Sequence, residues 1–247
     1  MNEVLSTINS MRSVQSFSTK DIPDKDLEAV LNACVKAASA SNRQSYSIVV
    51  VRDRQVIEGI LGYGGNRALV FCVDFNRIVD TADHLRCSFS VNLKEFVTGC
   101  IDTILVAQNA AVAAKSLGID SLLTNSVHRG DIDRIYKQFN LPEKYCFPLI
   151  SLILGYSTEA VGKGKGRIKG KGIIHLESYH RLTDEELDEL VKTYDAPENN
   201  LWATVYPAVV KDKSFSHYLE WYFKAWAVRD VEALPRIEKV LRRAGFI

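Results

Sequence analysis

Neither sign of charge dominates this 247-residue chain: 31 lysines and arginines stand against 30 acidic residues, for a formal net charge of +1. A broad nucleic-acid-binding surface, which needs a strongly basic footprint, is therefore not expected. The five cysteines, Cys34, Cys72, Cys87, Cys100 and Cys146, form no CxxC pair and are odd in number. A disulfide framework is thus not indicated, and a reducing cytoplasm is the expected compartment. The five histidines show no HExxH and no i, i+4 pair, which removes a metal site from expectation. No GxSxG elbow is present, so acyl-transfer chemistry has no support. The N-terminus lacks the basic cap, apolar run and small-residue cleavage site of a secretory leader. The longest apolar segment, residues 99–118, contains Asp102, Gln108, Asn109 and Lys115, so it reads as a buried helix and no membrane partner is expected.

What is present is enough apolar sequence, 47% of the chain, to bury a substantial core. Residues 24–38 carry Leu27, Val30, Leu31, Cys34 and Ala38 at three-four spacing behind Pro23, an amphipathic helix with a start signal. The runs 47–51, 68–75 and 147–156 are short, apolar and partly β-branched, as buried strands are. Between the last two, residues 93–116 form the long apolar helix, with Gly118 as its stop. Ile132, Ile135, Tyr136 and Phe139 share one face of a further helix. Thr183 and Glu186 make a capping box for another, and the tail holds two more helical stretches rich in aromatic and aliphatic residues. Helices alternating with few strands give an α+β fold. The expected division is a body over residues 1–179 and a helical extension over 180–247 that packs on the body or on a second subunit.

Four polar clusters border these elements. The first is MRSVQSF, with Arg12, Ser13 and Gln15; the second is ASASNRQSYS, with Ser39, Ser41, Asn42 and Gln44; the third is LLTNSVHRGD, with Thr124, Asn125 and Ser126. Each alone is most simply read as caps and turns. The fourth, GKGKGRIKGKG over residues 162–172, concentrates five cations in a chain of almost no net charge. It is not a Walker loop, because Gly172 follows Lys171 where Ser or Thr is needed and Lys165 stands at the first glycine's position. A nucleic-acid stripe, a phosphate cradle and a solvated loop all remain open. In an extended conformation its alternation places all five cations on one face.

Taken in order, these clusters resemble the nitroreductase family of FMN-dependent oxidoreductases. RSVQSF resembles the RSxRxF signature, ASASNRQSYSIVVVRD the PSSxNxQ segment, residues 102–157 the central helix, GLG turn and LGxP strand end, and KGRI at Lys165–Ile168 the KxRL element of the NADPH flavin reductase and oxygen-insensitive nitroreductase branch. The resemblance spans about residues 4–179. It implies a mixed, largely antiparallel sheet flanked by helices, and an intertwined homodimer with the long helix at its interface and FMN between subunits. It assigns Arg12, Ser13, Lys165 and Arg167 to the FMN phosphate, with Gln15 at the second Arg position. Ser39, Ser41, Asn42 and Gln44 go to the flavin or ribityl chain, and Thr124, Asn125 and Ser126 to the ring. The implied activity is ping-pong transfer from NAD(P)H through FMN to a small-molecule acceptor such as a nitroaromatic, a quinone or free flavin. The alternative is an FMN-binding carrier or sensor without efficient turnover. Asn125-Ser126 stands where many members of the resembled family carry Gly-Gly, and Asp120 replaces the second glycine of GLG, where a turn or cap role is expected. Lys163, Lys169 and Lys171 exceed the family element and serve either an extra phosphate or solvation.

Overall fold

A computed structural model describes residues 2–159, 166–170, 172–199, 215–227 and 233–247. The chain divides into two compact units, Met1–Ala160 with Glu232–Ile247, and Val161–Val231. The cut thus falls at other points than 179/180, because the last helix returns to the body.

In the first unit, helix α1 (Glu3–Ser10) precedes α2 (Asp24–Cys34), β1 (Tyr46–Val51), α3 (Arg54–Leu61), β2 (Arg67–Asp74), α4 (Asn76–His84) and α5 (Leu93–Ser116). Then follow β3 (Asp120–Thr124), α6 (Ser126–Arg129), α7 (Ile132–Phe139) and β4 (Cys146–Gly155). The four strands form one sheet in the order β1-β2-β4-β3 with every neighbour antiparallel. The fold is α+β, as its sequence predicts. A single parallel bridge, Ser13 to Ser121, adds the mixed character among the described residues.

The continuous apolar run of β2 has a direct cause. Leu69 and Phe71 face a cluster with α2 and α5 residues such as Leu27, Val106 and Ala110, while Ala68, Val70 and Cys72 face Ile57, Leu61 and Ile135. Both faces are covered, so neither can be polar. Each such large side chain contributes about 1.5–3 kcal/mol on burial. Pro148 in β4 is accommodated at a bulge, where the register with β2 shifts between Phe71 and Cys72.

Local signals fix the helix ends. Asn92 caps α5 by accepting from the Lys94 and Glu95 amides, and Gly118 (φ 73°) turns the chain beyond its end. Asp53 caps α3 and Asp131 caps α7 in the same way. Helix α2 stops at Cys34, short of the expected Ala38, because the amides of Lys36 and Ala37 close tighter turns onto Ala33 and Cys34. Helix α5 is long and apolar enough to span a bilayer, yet Asp102, Thr103, Val106, Ala107 and Ala110 on one of its faces are buried in this core. Gly99 makes that approach possible, since a Cβ there would meet Val73 at 2.6 Å.

The second unit contains α8 (Asp184–Asp195), opened by the expected reciprocal Thr183–Glu186 box, and α9 (Tyr218–Trp221), which widens into a π-type turn over Tyr222–Trp226. Asp195 accepts from the Tyr218 amide and pairs with His217, and Trp221 is buried against Tyr218 and Trp226. The final helix α10 (Ala233–Ala244) packs Val240 and Ala244, with Phe246 after it, against Phe75, Tyr136 and Phe147 of the first unit.

Candidate functional site

The described candidate residues of the first unit assemble into two groups on opposite edges of the sheet. The first lies along the edge strand β3. Segment 12–17 runs beside it in parallel, with the Val14 amide donating to the Ser121 carbonyl (3.1 Å). It then crosses to the end of β4, where the Ser18 amide donates to Tyr156 O (2.8 Å) and the Thr158 amide to Ser16 O (3.1 Å). Val14 is fully buried while Ser13 and Gln15 are exposed. Extended backbone alternates its faces, so burying Val14 turns Ser13 and Gln15 outward together.

Arg12 is turned the other way. Its guanidinium donates to the Glu159 carboxylate (3.1 Å) and to the Ser157 hydroxyl (3.2 Å). The second Glu159 oxygen accepts from the amides of Gln15 (2.7 Å) and Ser16 (3.0 Å). Three donors thus converge on one carboxylate, which fastens the segment to the strand end. Asp120 works beside it, accepting from the Ser157 amide (3.1 Å) and from Lys115 (3.3 Å). These contacts tie strand β3 to the segment after β4 and to α5, in place of the turn or cap role expected at that position.

At the end of β3, the Ser126 amide donates to Thr124 Oγ1 (3.2 Å), and Ser151 donates its hydroxyl to the Thr124 carbonyl (3.3 Å). The Ser126 hydroxyl is buried without a protein hydrogen-bond partner. A buried polar group in that state is costly by about 1–3 kcal/mol, which a ligand atom can recover. Asn125 sits at φ −92°, a region open to any residue. The missing Gly-Gly therefore imposes no backbone strain.

The second group is the 39–45 loop, which enters β1 at the opposite edge. Three strand spacings, about 14 Å, separate the two edge strands. Ser41, Asn42 and Gln44 all adopt left-handed backbone, at φ 52°, 54° and 55°. For residues with a Cβ this costs about 1–2 kcal/mol each, less for Asn. The conformation is held from several sides. Asp102 of α5 accepts from the amides of Ala40 (2.9 Å) and Ser45 (3.2 Å), and Ser39 Oγ accepts from the Gln44 amide (3.3 Å). Arg77 donates to the carbonyls of Gln44 (2.6 Å) and Arg43 (3.2 Å), and Arg43 pairs with Glu95 (2.6 Å). Next to the loop, burial pushes the Cys34 thiol up to about 11 and raises the Tyr46 phenol.

In the basic stretch, Lys163, Lys165 and Lys171 lie outside the described residues. Arg167 belongs to the second unit, where it is exposed and donates to the Gly166 carbonyl (3.1 Å). Among the described residues of the stretch, the extended conformation that would align the cations ends at Gly170. Gly170 and Gly172 both have φ 84°, and the amides of Ile173 and Ile174 turn back onto the Gly170 carbonyl. Sequence reasoning singled out neither Glu159 nor Arg77 as a site residue, and nothing in their spacing marks them. Asp102 did carry a signal, a carboxylate within a long apolar helix.

Known proteins agree with this architecture. The family model described as "Nitroreductase family" matches residues 8–68. An NADPH-dependent oxidoreductase of Staphylococcus epidermidis is 31% identical over 195 residues, 74% of this chain and 76% of that protein. An FMN reductase [NAD(P)H] of Bacillus subtilis is 28% identical over 206 residues, 79% of this chain and 81% of its own. A crystal structure from Bacteroides fragilis superposes with a TM-score of 0.84 at 27% identity, over 98% of this chain and 99% of that one. With the strand order, the motif segments and these likenesses in agreement, the chain is a member of the nitroreductase family.

Proposed function

We propose that this protein is an FMN-dependent oxidoreductase that takes hydride from NAD(P)H and passes two electrons to a small acceptor, a nitroaromatic, a quinone or free flavin, in two separate half-reactions. The names of its relatives support the donor and the flavin. The observation that carries the reading is the buried, unpartnered Ser126 hydroxyl at the end of β3, on the same edge as the outward-facing Ser13 and Gln15. A planar, polar-edged ligand with a phosphate tail suits that edge: the 124–126 backbone and Ser126 meet the ring, and Ser13 and Gln15 meet the tail. When bound, FMN supplies a hydride-accepting nitrogen, so no side chain needs to act as acid or base.

The residues of this chain bind and orient. Arg12 shares its charge with Glu159, so its part is to shape the 12–17 segment as well as to bias it toward an anion. On the family resemblance alone, Lys165 and Arg167 are proposed as further cations for the phosphate. The loop bearing Ser39, Ser41, Asn42 and Gln44 lies at the far edge of its own sheet and is proposed to complete the site of a second copy. A homodimer has a ready surface for this. Val97, Ile101, Ile104 and Leu105 form an exposed apolar stripe along α5, joined by Val4, Leu5 and Ile8 of α1.

The test is an anaerobic titration of the FMN-reconstituted protein with NADPH and then NADH, following the blue flavin band. Bleaching is expected with at least one of them. Bound flavin that stays oxidised with both would make the protein a carrier or sensor, and a protein that rejects FMN would overturn the reading.

A further inference from the structure

We infer that Asp102 is a positioning residue for the flavin site, acting through the backbone of the 39–45 loop; this rests on the flavin reading above. Asp102 lies in the apolar helix α5 and is 1% exposed. A carboxylate that deep persists only when its oxygens are hydrogen-bonded. Both are, and to the two ends of a single loop: Oδ1 accepts from the Ala40 amide at 2.9 Å and Oδ2 from the Ser45 amide at 3.2 Å. Between those anchors lie Ser41, Asn42 and Gln44 with their left-handed backbones. Non-glycine residues in that region are retained where the surroundings over-determine them, and such places concentrate at ligand sites.

The other restraints on the loop differ in kind. The Arg77 and Arg43 contacts are made by exposed or part-buried side chains, where water competes for every donor. Asp102 alone among these partners reaches the loop from within the core. It converts the rigidity of α5 into a fixed placement of the exposed Ser41 and Asn42. The same helix presents the apolar stripe assigned to the dimer, so one rigid element would set both the interface and the loop that crosses it.

Asp102→Asn isolates the effect, because it keeps the shape but offers one acceptor oxygen and turns an N–H group toward a backbone N–H. In the wild-type protein, hydrogen exchange at the Ala40 and Ser45 amides should be the slowest in residues 38–45. In Asp102→Asn, exchange at one or both should rise by about tenfold or more. Affinity should fall by about tenfold, equally for FMN and for riboflavin, because the loop is assigned to the flavin and ribityl chain and not to the phosphate. Ile57→Val, buried under the opposite sheet face, serves as the control: it should lower Tm and leave flavin affinity unchanged. Flavin affinity in Asp102→Asn that is unchanged, or that falls no further than in an Ile57→Val protein of equal Tm, would overturn the assignment. Fast exchange at both amides in the wild type would overturn it without any variant. Should the wild type bind neither flavin, the cofactor reading fails and takes this role with it, while exchange still decides whether Asp102 holds the loop.

Discussion

The ring of Phe17 lies against the backbone of Gly155, where a Cβ would stand 2.7 Å from Phe17 Cδ1. This contact joins the end of the N-terminal motif to the end of β4, and the Phe17–Ser157 bridge continues it. Gly155→Ala must therefore displace either the ring or the strand. The expected cost is about 1–3 kcal/mol in urea unfolding. Phe17→Leu should recover part of that loss in the double variant, since a smaller side chain leaves room for the methyl. Strict additivity of the two single losses would show that they do not share the contact.

Glu159 fastens the same segment by polar means. Removing it in Glu159→Ala leaves Arg12 and the Gln15 and Ser16 amides without their common acceptor, and about 1–2 kcal/mol of stability should be lost. The pair is only partly shielded, with side-chain exposures of 24% and 31%, so the ionic share should shrink at high salt. Glu159→Gln should lose less, because its carbonyl can still accept from both amides. If the segment serves the phosphate, FMN binding weakens in Glu159→Ala and riboflavin binding does not. An equal loss for both ligands would move the segment to the ring end of the site.

The elements were legible where one periodicity or one cap decided them. Helix α5 follows its apolar sequence and Asn92, and α8 its Thr183–Glu186 box. The strand pattern of β2 is plain because both faces are buried. Legibility failed where tertiary contacts take over. No local feature shows that Arg12 turns away from Ser13, since that follows from burying Val14 beside β3 and from Glu159, distant in sequence. The left-handed positions Ser41, Asn42 and Gln44 include no glycine to announce them, and the contacts that hold their loop come from remote residues, Arg77 and Asp102 among them. The sequence places the returning helix α10 in a terminal extension, because its partners, Phe75 and Phe147, are remote in the chain.

The stripe on α5 makes the proposed dimer testable. Ile101 and Ile104 are 56% and 51% exposed within one chain. A charge at either should cost the folded single chain little. In a symmetric interface it meets an apolar partner twice, so Ile104→Glu should weaken association by about 3 kcal/mol or more, over a hundredfold in dissociation constant. Light scattering should then report a monomer that melts within a few degrees of a comparably diluted wild type and binds flavin weakly. A variant that remains dimeric would place the interface elsewhere.

Cys34 supplies a pH dependence whose sign can be worked out. Its side chain is fully buried, and burial pushes the thiol from an ordinary 9.0 up to about 11. Below about pH 9 both folded and unfolded chains hold the proton, so the thiol's contribution to stability is fully present. Between about 9 and 11 the unfolded chain releases the proton while the folded chain keeps it. Stability is then lost at up to about 1.4 kcal/mol per pH unit for this one group. Tyr136, raised chiefly by burial while its hydroxyl donates to the Cys146 carbonyl (2.6 Å), adds to the loss at higher pH. Urea unfolding of wild type and Cys34→Ala under reducing conditions should show a stability gap that is constant from pH 7 to 9 and narrows or reverses toward pH 11. Parallel curves across the whole range would mean that the folded chain ionises this thiol as readily as the unfolded one, and that Cys34 is not shielded as its packing against α5 requires.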